Sequence, residues 1–250
     1  MKTADVHVKR QERGFTLVEL AIVLIIIGLL IGGVLKGQEL IGNAQITNVV
    51  TQVKSMDGAV STFRETYGAF PGDMGNAETR IAGCTADPGC ANPTSGTANN
   101  GRIDSNVGAS LSNSNTDESV EFFQHMRVAD LLTGFTGNLT SAAFGQSHPS
   151  AAIGGGFSIG HTASGVTGQA VVRSGHYLTL QGSTGTISSV ADLTPAQAAR
   201  IDRKMDDGAP ETGSVIGDSA GEGACFAGSP AEYSETTANP TCNLKIRIQG

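Results

Sequence analysis

The chain has 250 residues, with Lys+Arg 16 against Asp+Glu 23 and a formal charge of −7. That balance argues against nucleic-acid binding, which asks for a basic face. Gly is 34 of the total, about twice the usual share of roughly 7%. The glycines have no three-residue period and Pro is only 8, which excludes a collagen-like rod. The 39% hydrophobic content is unevenly spread, since 16 of the 21 residues from Phe15 to Leu35 are hydrophobic. The remainder falls to roughly 35%, low for a globular domain. Composition alone therefore describes an apolar segment joined to a polar, Gly-rich head.

The apolar segment comes first in chain order. Twenty-one helical residues span roughly 30 Å, the thickness of a bilayer core. Lys2, Lys9, Arg10 and Arg13 outnumber Asp5 and Glu12 upstream of it. The positive-inside rule keeps that end cytoplasmic and exports the C-terminal bulk. Glu19 interrupts the run, and a charged residue at mid-bilayer costs roughly 2.5–3.5 kcal/mol. If the mature chain began at Phe15, its α-amino group would lie one turn from Glu19 and could partner it. No Ala-x-Ala cleavage pattern follows the run.

Beyond Leu35 the apolar residues become periodic. Ile46, Val49, Val50, Val53, Met56, Val60, Phe63 and Tyr67 follow the stripe of an amphipathic helix. The spacing predicts one helix from about Phe15 to Tyr67, stopped by Gly68 and Pro71-Gly72. Two small-residue pairs, Gly28/Gly32 and Gly33/Gly37, suit close helix–helix contact. Glycines at 32, 33, 37 and 42 also mark a place where the helix would be weak or unwound.

Cys84, Cys90, Cys225 and Cys242 all lie in the part expected to be exported, where disulfides form. Four cysteines admit three connectivities, of which the local pairs 84/90 and 225/242 are favoured. A zinc site lacks its paired Cys-x-x-Cys units. Residues 92–115, rich in Asn, Ser, Thr and Gly, read as an exposed loop. A helix over Glu118–Gly134 follows, capped by Thr116 or Asp117. Strands are expected within 151–159 and 170–180, a short helix from Thr194-Pro195 to Met205, and a final strand over Asn243–Gln249. The fold class is α+β: a long N-terminal helix, membrane-spanning and then amphipathic, packed on an antiparallel sheet head with long loops.

The head proposes little chemistry. Gly156-Phe157-Ser158-Ile159-Gly160 matches a nucleophile elbow, but no histidine follows His176 to complete the hydrolase order. His125, His148, His161 and His176 show no metal spacing. No enzyme is expected, and no cofactor. The acids Asp202, Asp206, Asp207, Glu211, Asp218 and Glu222 form the one plausible ligand cluster, with Asp206, Asp207 and Asp218 the calcium candidates. A helix ending in a solvated acidic turn is the plainer account of the same residues.

The string Arg13-Gly14-Phe15-Thr16-Leu17-Val18-Glu19-Leu20 resembles the processing motif of type IV pilin precursors and of the pseudopilins of type II secretion. The resemblance implies that a prepilin peptidase cuts between Gly14 and Phe15 and methylates Phe15. It makes Glu19 the carboxylate of assembly. It divides the chain into a leader (1–14), an assembly half-helix (15–35), an amphipathic half-helix (36–68) and an exported head (69–250). The disulfide-bounded region near 225–242 is similar to one found in many pilins, and some major pseudopilins bind calcium in C-terminal loops. The implied partners are sister subunits in a helical filament, the peptidase, the inner-membrane assembly machinery and the membrane itself, with no nucleic acid. The implied place is the bacterial inner membrane, N-terminus inside, and afterwards a periplasmic or extracellular filament. A pseudopilin or minor pilin is the rival within the class; a membrane-anchored ligand-binding module is the rival outside it. From Lys36 onward Lys+Arg 12 against Asp+Glu 20 gives −8, so DNA capture by such a module would need a local basic patch.

Overall fold

A computed structural model describes residues 16–162, 173–182, 193–219 and 224–248. The chain divides into two compact units, Met1–Ala44 and Gln45–Gly250. Helix α1 (Leu17–Tyr67) begins in the first and ends in the second, running unbroken through Gly32, Gly33, Gly37 and Gly42. The unwound segment expected there is not formed. Each glycine weakens the helix by only about 1 kcal/mol, and the Leu, Ile and Val between them carry it through.

In the first unit every large apolar side chain from Leu17 to Ile41 is exposed, Leu17 at 86% and Leu29 at 73%. The α1 sequence is long and apolar enough to cross a membrane. In the second unit the stripe read from the sequence turns inward: Ile46, Val49, Val53, Met56, Val60 and Phe63 are all buried. The helix ends where Gly68 takes a left-handed φ of +66° and its N–H returns to Arg64 O at 2.8 Å.

The stripe packs into one core with a four-stranded antiparallel sheet made of β1 (Gly156–Thr162), β2 (Gly175–Gln181), β3 (Val215–Ser219) and β6 (Cys242–Ile248). Its spatial order is β1-β2-β6-β3. Register places Ile159, Leu178, Ile246 and Val215 in one cross-strand row and Phe157, Leu180 and Leu244 in the next. These rows are the core face. Two short strands, β4 (Phe226–Ala227) and β5 (Glu232–Tyr233), pair separately.

Helix α2 (Ala77–Arg80) and a 3₁₀ turn (Cys84–Ala86) follow α1. Helix α3 (Glu118–Val128) is six residues shorter than the expected span ending at Gly134. Asp130 goes left-handed at φ +56°, and the Leu131 and Leu132 N–H groups both return to Met126 O. The apolar Leu131 and Leu132 therefore cap α3 rather than extend it. Helix α4 (Pro195–Met205) is capped as its sequence requires: Thr194 Oγ1 accepts from Gln197 N at 3.3 Å, and Gln197 Oε1 accepts from Thr194 N at 2.9 Å.

Strand β1 starts at Gly156 rather than Ala151, because Ala151–Gly155 form a turn that ends in two positive-φ glycines. Of the span 170–180 expected to hold the next strand, residues 170–172 lie outside the described residues. Cys84 bonds to Cys90 and Cys225 to Cys242, the two local pairs, with Cα separations of 5.1 and 4.9 Å.

Candidate functional site

Gly14 and Phe15, the expected cleavage and methylation positions, lie outside the described residues. The described chain opens on Thr16, and the first turn of α1 is closed by a reciprocal pair. The Thr16 N–H and hydroxyl both donate to Glu19 Oε2 at 2.9 Å, while the Glu19 N–H donates back to Thr16 Oγ1 at 3.2 Å. This is a capping box, and it satisfies backbone donors that a helix start otherwise leaves open. Glu19, expected from the resemblance to be an assembly carboxylate, thus also has a local role that the sequence expectation does not include. Thr-x-x-Glu before an apolar run was the available signal.

Glu19 is exposed, as are Leu17, Val18 and Leu20 around it. From Leu17 to Leu35 the helix covers about 28 Å. Glu19 is the sole ionisable group in that stretch; Lys36 and Glu39, which pair at 2.6 Å, come after it. The arrangement offers an all-round apolar surface with one carboxylate near its start. Such a surface is covered by lipid or by like helices.

The other residues singled out in the sequence have structural employment. Ser158 sits in the middle of β1, with no strand-to-helix turn, and its Oγ donates to Gln181 Oε1 at 3.3 Å. A nucleophile elbow is absent there. Asp192, the acid that would follow it, lies outside the described residues.

His125 is fully buried: its Nδ1 accepts from Gly72 N at 3.1 Å, while Nε2 lies 3.0 Å from both Ala91 O and Glu121 Oε2. Glu121 Oε2 in turn accepts from Ala91 N at 3.0 Å, and burial holds its carboxyl above the usual range. Cys90 lies beside this pair but is consumed in the disulfide, so the trio makes no metal site. It fastens the disulfide loop to α3.

Two of the calcium candidates stay together and one does not. Asp202, Asp206 and Asp207 bring one carboxylate oxygen each within 4.8 Å of one another. Asp206 Oδ2 takes the N–H groups of Ser214 and Val215, and Asp207 takes Ala209 N and the Thr212 hydroxyl. Asp202 is buried, accepts from the Tyr233 hydroxyl at 2.9 Å and from Gly208 N at 3.2 Å, and burial raises its pKa to about 6. These carboxylates tie the loop from α4 to β3. Asp218 is elsewhere: it pairs at 3.0 Å with Lys245, which is 1% exposed on the non-core face of β6. Burial lowers the Lys245 pKa and Asp218 opposes that shift. Glu222 lies outside the described residues.

No curated protein and no solved structure matches the chain. Residues 9–35 match the family model described as the prokaryotic N-terminal methylation motif. That match spans the basic flank, the Gly14-Phe15 junction, Glu19 and the apolar half of α1. The chain thus carries at its N-terminus the methylation motif that is the hallmark of type IV pilins and pseudopilins.

Proposed function

We propose that this chain is the precursor of a type IV pilus-like filament subunit, trimmed after Gly14, methylated at Phe15 and polymerised through the N-terminal half of α1. The observation that carries the reading is a surface-exposed apolar helix, Leu17 to Leu35, that begins in a methylation motif and holds a lone carboxylate at Glu19. Before assembly the helix sits in the membrane with the head exported. In the filament, like helices replace lipid around it, and the Phe15 amine of one subunit attracts Glu19 of the next, which sets axial register. The chain is a substrate of the peptidase and a structural element rather than an enzyme.

Electron microscopy of material sheared from cells expressing the protein tests the proposal. Filaments that bind antibody to the head support a filament subunit. Absence of filaments, with secretion impaired on deletion, transfers the same N-terminal chemistry to a pseudopilin. Absence of both contradicts the reading.

A further inference from the structure

Between the 3₁₀ turn and α3, residues 100–104 are strapped to the head by titratable side chains. Asp73 Oδ1 and Oδ2 accept from Asn100 N at 3.0 Å and from Gly101 N at 2.7 Å. His176 Nε2 accepts from Ile103 N at 3.3 Å, and Glu118 Oε2 accepts from Asp104 N at 2.5 Å. Asp73 lies in the turn after α1, His176 in β2 and Glu118 in the first turn of α3. The strap therefore crosses three parts of the head, held by three groups that can each change charge.

Glu118 is the least supported of the three. It is 2% exposed, and its Oε1 is buried with no hydrogen-bond partner among the described residues. A charged oxygen so placed is costly, whereas a protonated carboxyl has no charge to desolvate. Gly96, at φ +106°, packs against it: a Cβ there would lie 2.8 Å from Asp104 Cβ and 3.1 Å from Glu118 Oε1. The charges facing Glu118 are mostly negative. Asp104 on the strap and Asp73 disfavour its ionisation, Arg102 favours it, and Asp117 lines the same small cavity. The start of α3 sets about half a positive charge against them. Burial first, then Asp104 and Asp73, raise the Glu118 pKa from 4.5 to about 7, against the Asp104 N–H and Arg102. On the sheet side, burial, His161 and Arg64 lower the His176 pKa to about 4, so His176 stays a neutral acceptor while Glu118 titrates.

We infer that Glu118 is a proton-operated latch: uncharged, it holds the strap of residues 96–105 against α3, and ionised it lets the strap go. Opening returns the carboxyl to water and to its ordinary pKa of 4.5, so the closed form binds more protons between pH 4.5 and 7. The advantage of the closed form is complete below pH 4.5 and is lost as pH rises through 7. The latch lies wholly within the head and operates whether or not the chain builds filaments.

Hydrogen exchange with mass spectrometry tests this on the full-length chain in nonionic detergent, at pH 5 and pH 8, corrected for the intrinsic rate at each pH. It compares opening of residues 100–104 with that of residues 244–248 in β6. Opening of the strap should rise at least about tenfold between the two pH values while β6 stays unchanged. Glu118→Gln cannot ionise and should abolish the rise. Asp104→Asn lacks a charge that disfavours ionisation and should reduce the rise; it decides the matter if Glu118→Gln does not fold. No rise in the strap, an equal rise in β6, or a rise that Glu118→Gln retains or Asp104→Asn leaves undiminished overturns the proposal.

Discussion

Glu19 accepts both hydrogen bonds that Thr16 can donate, at 2.9 Å each, from a position three residues down the same helix. The carboxylate read as the assembly group therefore has a partner within its own chain. In the proposed move from lipid to a filament core the carboxylate is not left without a partner, because the Thr16 N–H and hydroxyl already donate to it. On the proposed assembly, the Phe15 amine of a neighbouring subunit would have to share or displace those two donors.

Thr16→Ala should loosen the first turn of α1 without touching the apolar surface. Losing a Ser/Thr cap costs about 1 kcal/mol, which is about fivefold in local opening. Amide hydrogen exchange of Leu17–Leu20 in detergent should quicken by that factor while exchange beyond Ile25 stays unchanged.

Glu19→Ala should remove filaments while leaving peptidase processing intact, since cleavage is written around Gly14 and Phe15. Immunoblots should show the mature chain, and shearing should release none of it from the surface. Normal filaments from this variant would remove Glu19 from the account.

The two disulfides should differ in worth. Closing the 17-residue separation between Cys225 and Cys242 restricts the unfolded chain by about 3 kcal/mol, and the 6-residue separation between Cys84 and Cys90 by about 2 kcal/mol. Urea melts of the two double-serine variants should place the 225/242 variant lower. Cys84, Cys225 and Cys242 are fully buried and Cys90 nearly so, hence both losses also cost packing.

His148 should give the head an acid-sensitive component. It is 1% exposed, meets the edge of Phe123 at 5.3 Å and shares a 2.9 Å hydrogen bond with the Ser147 hydroxyl. Burial lowers its pKa from 6.5 to about 4. The folded state then binds fewer protons than the unfolded state between those values. The stability His148 contributes is complete above pH 6.5 and is lost as pH falls toward 4, on the order of 2 kcal/mol by pH 5. In His148→Gln the difference from the parent should shrink over that interval; a pH-independent difference would show that His148 takes up its proton alike in the folded and unfolded states.

Much of the fold was legible because it follows periodicity. The stripe from Ile46 to Tyr67, the alternation of Leu244, Ile246 and Ile248, and the Thr194-Pro195 start of α4 all carry their structure locally. Strand β3 was missed, since Val215-Ile216-Gly217-Asp218-Ser219 has neither alternation nor a β-rich run and is a strand only because β6 pairs with it. Lys245 reads as a solvent-facing residue between Leu244 and Ile246, yet both faces of β6 are covered and Asp218 makes its burial tolerable. The same long-range pairing withdrew Asp218 from the acidic cluster to which sequence proximity had assigned it. At the N-terminus, Glu19 stood out as one charge in an apolar run, whereas its bond to Thr16 depends on where the helix starts.

Intact-mass and N-terminal sequencing of the protein purified from its host membrane test the central claim most directly. The account predicts a chain beginning at Phe15 and heavier by one methyl group on its α-amine. A chain that retains Met1, or begins elsewhere with an unmodified amine, would contradict it.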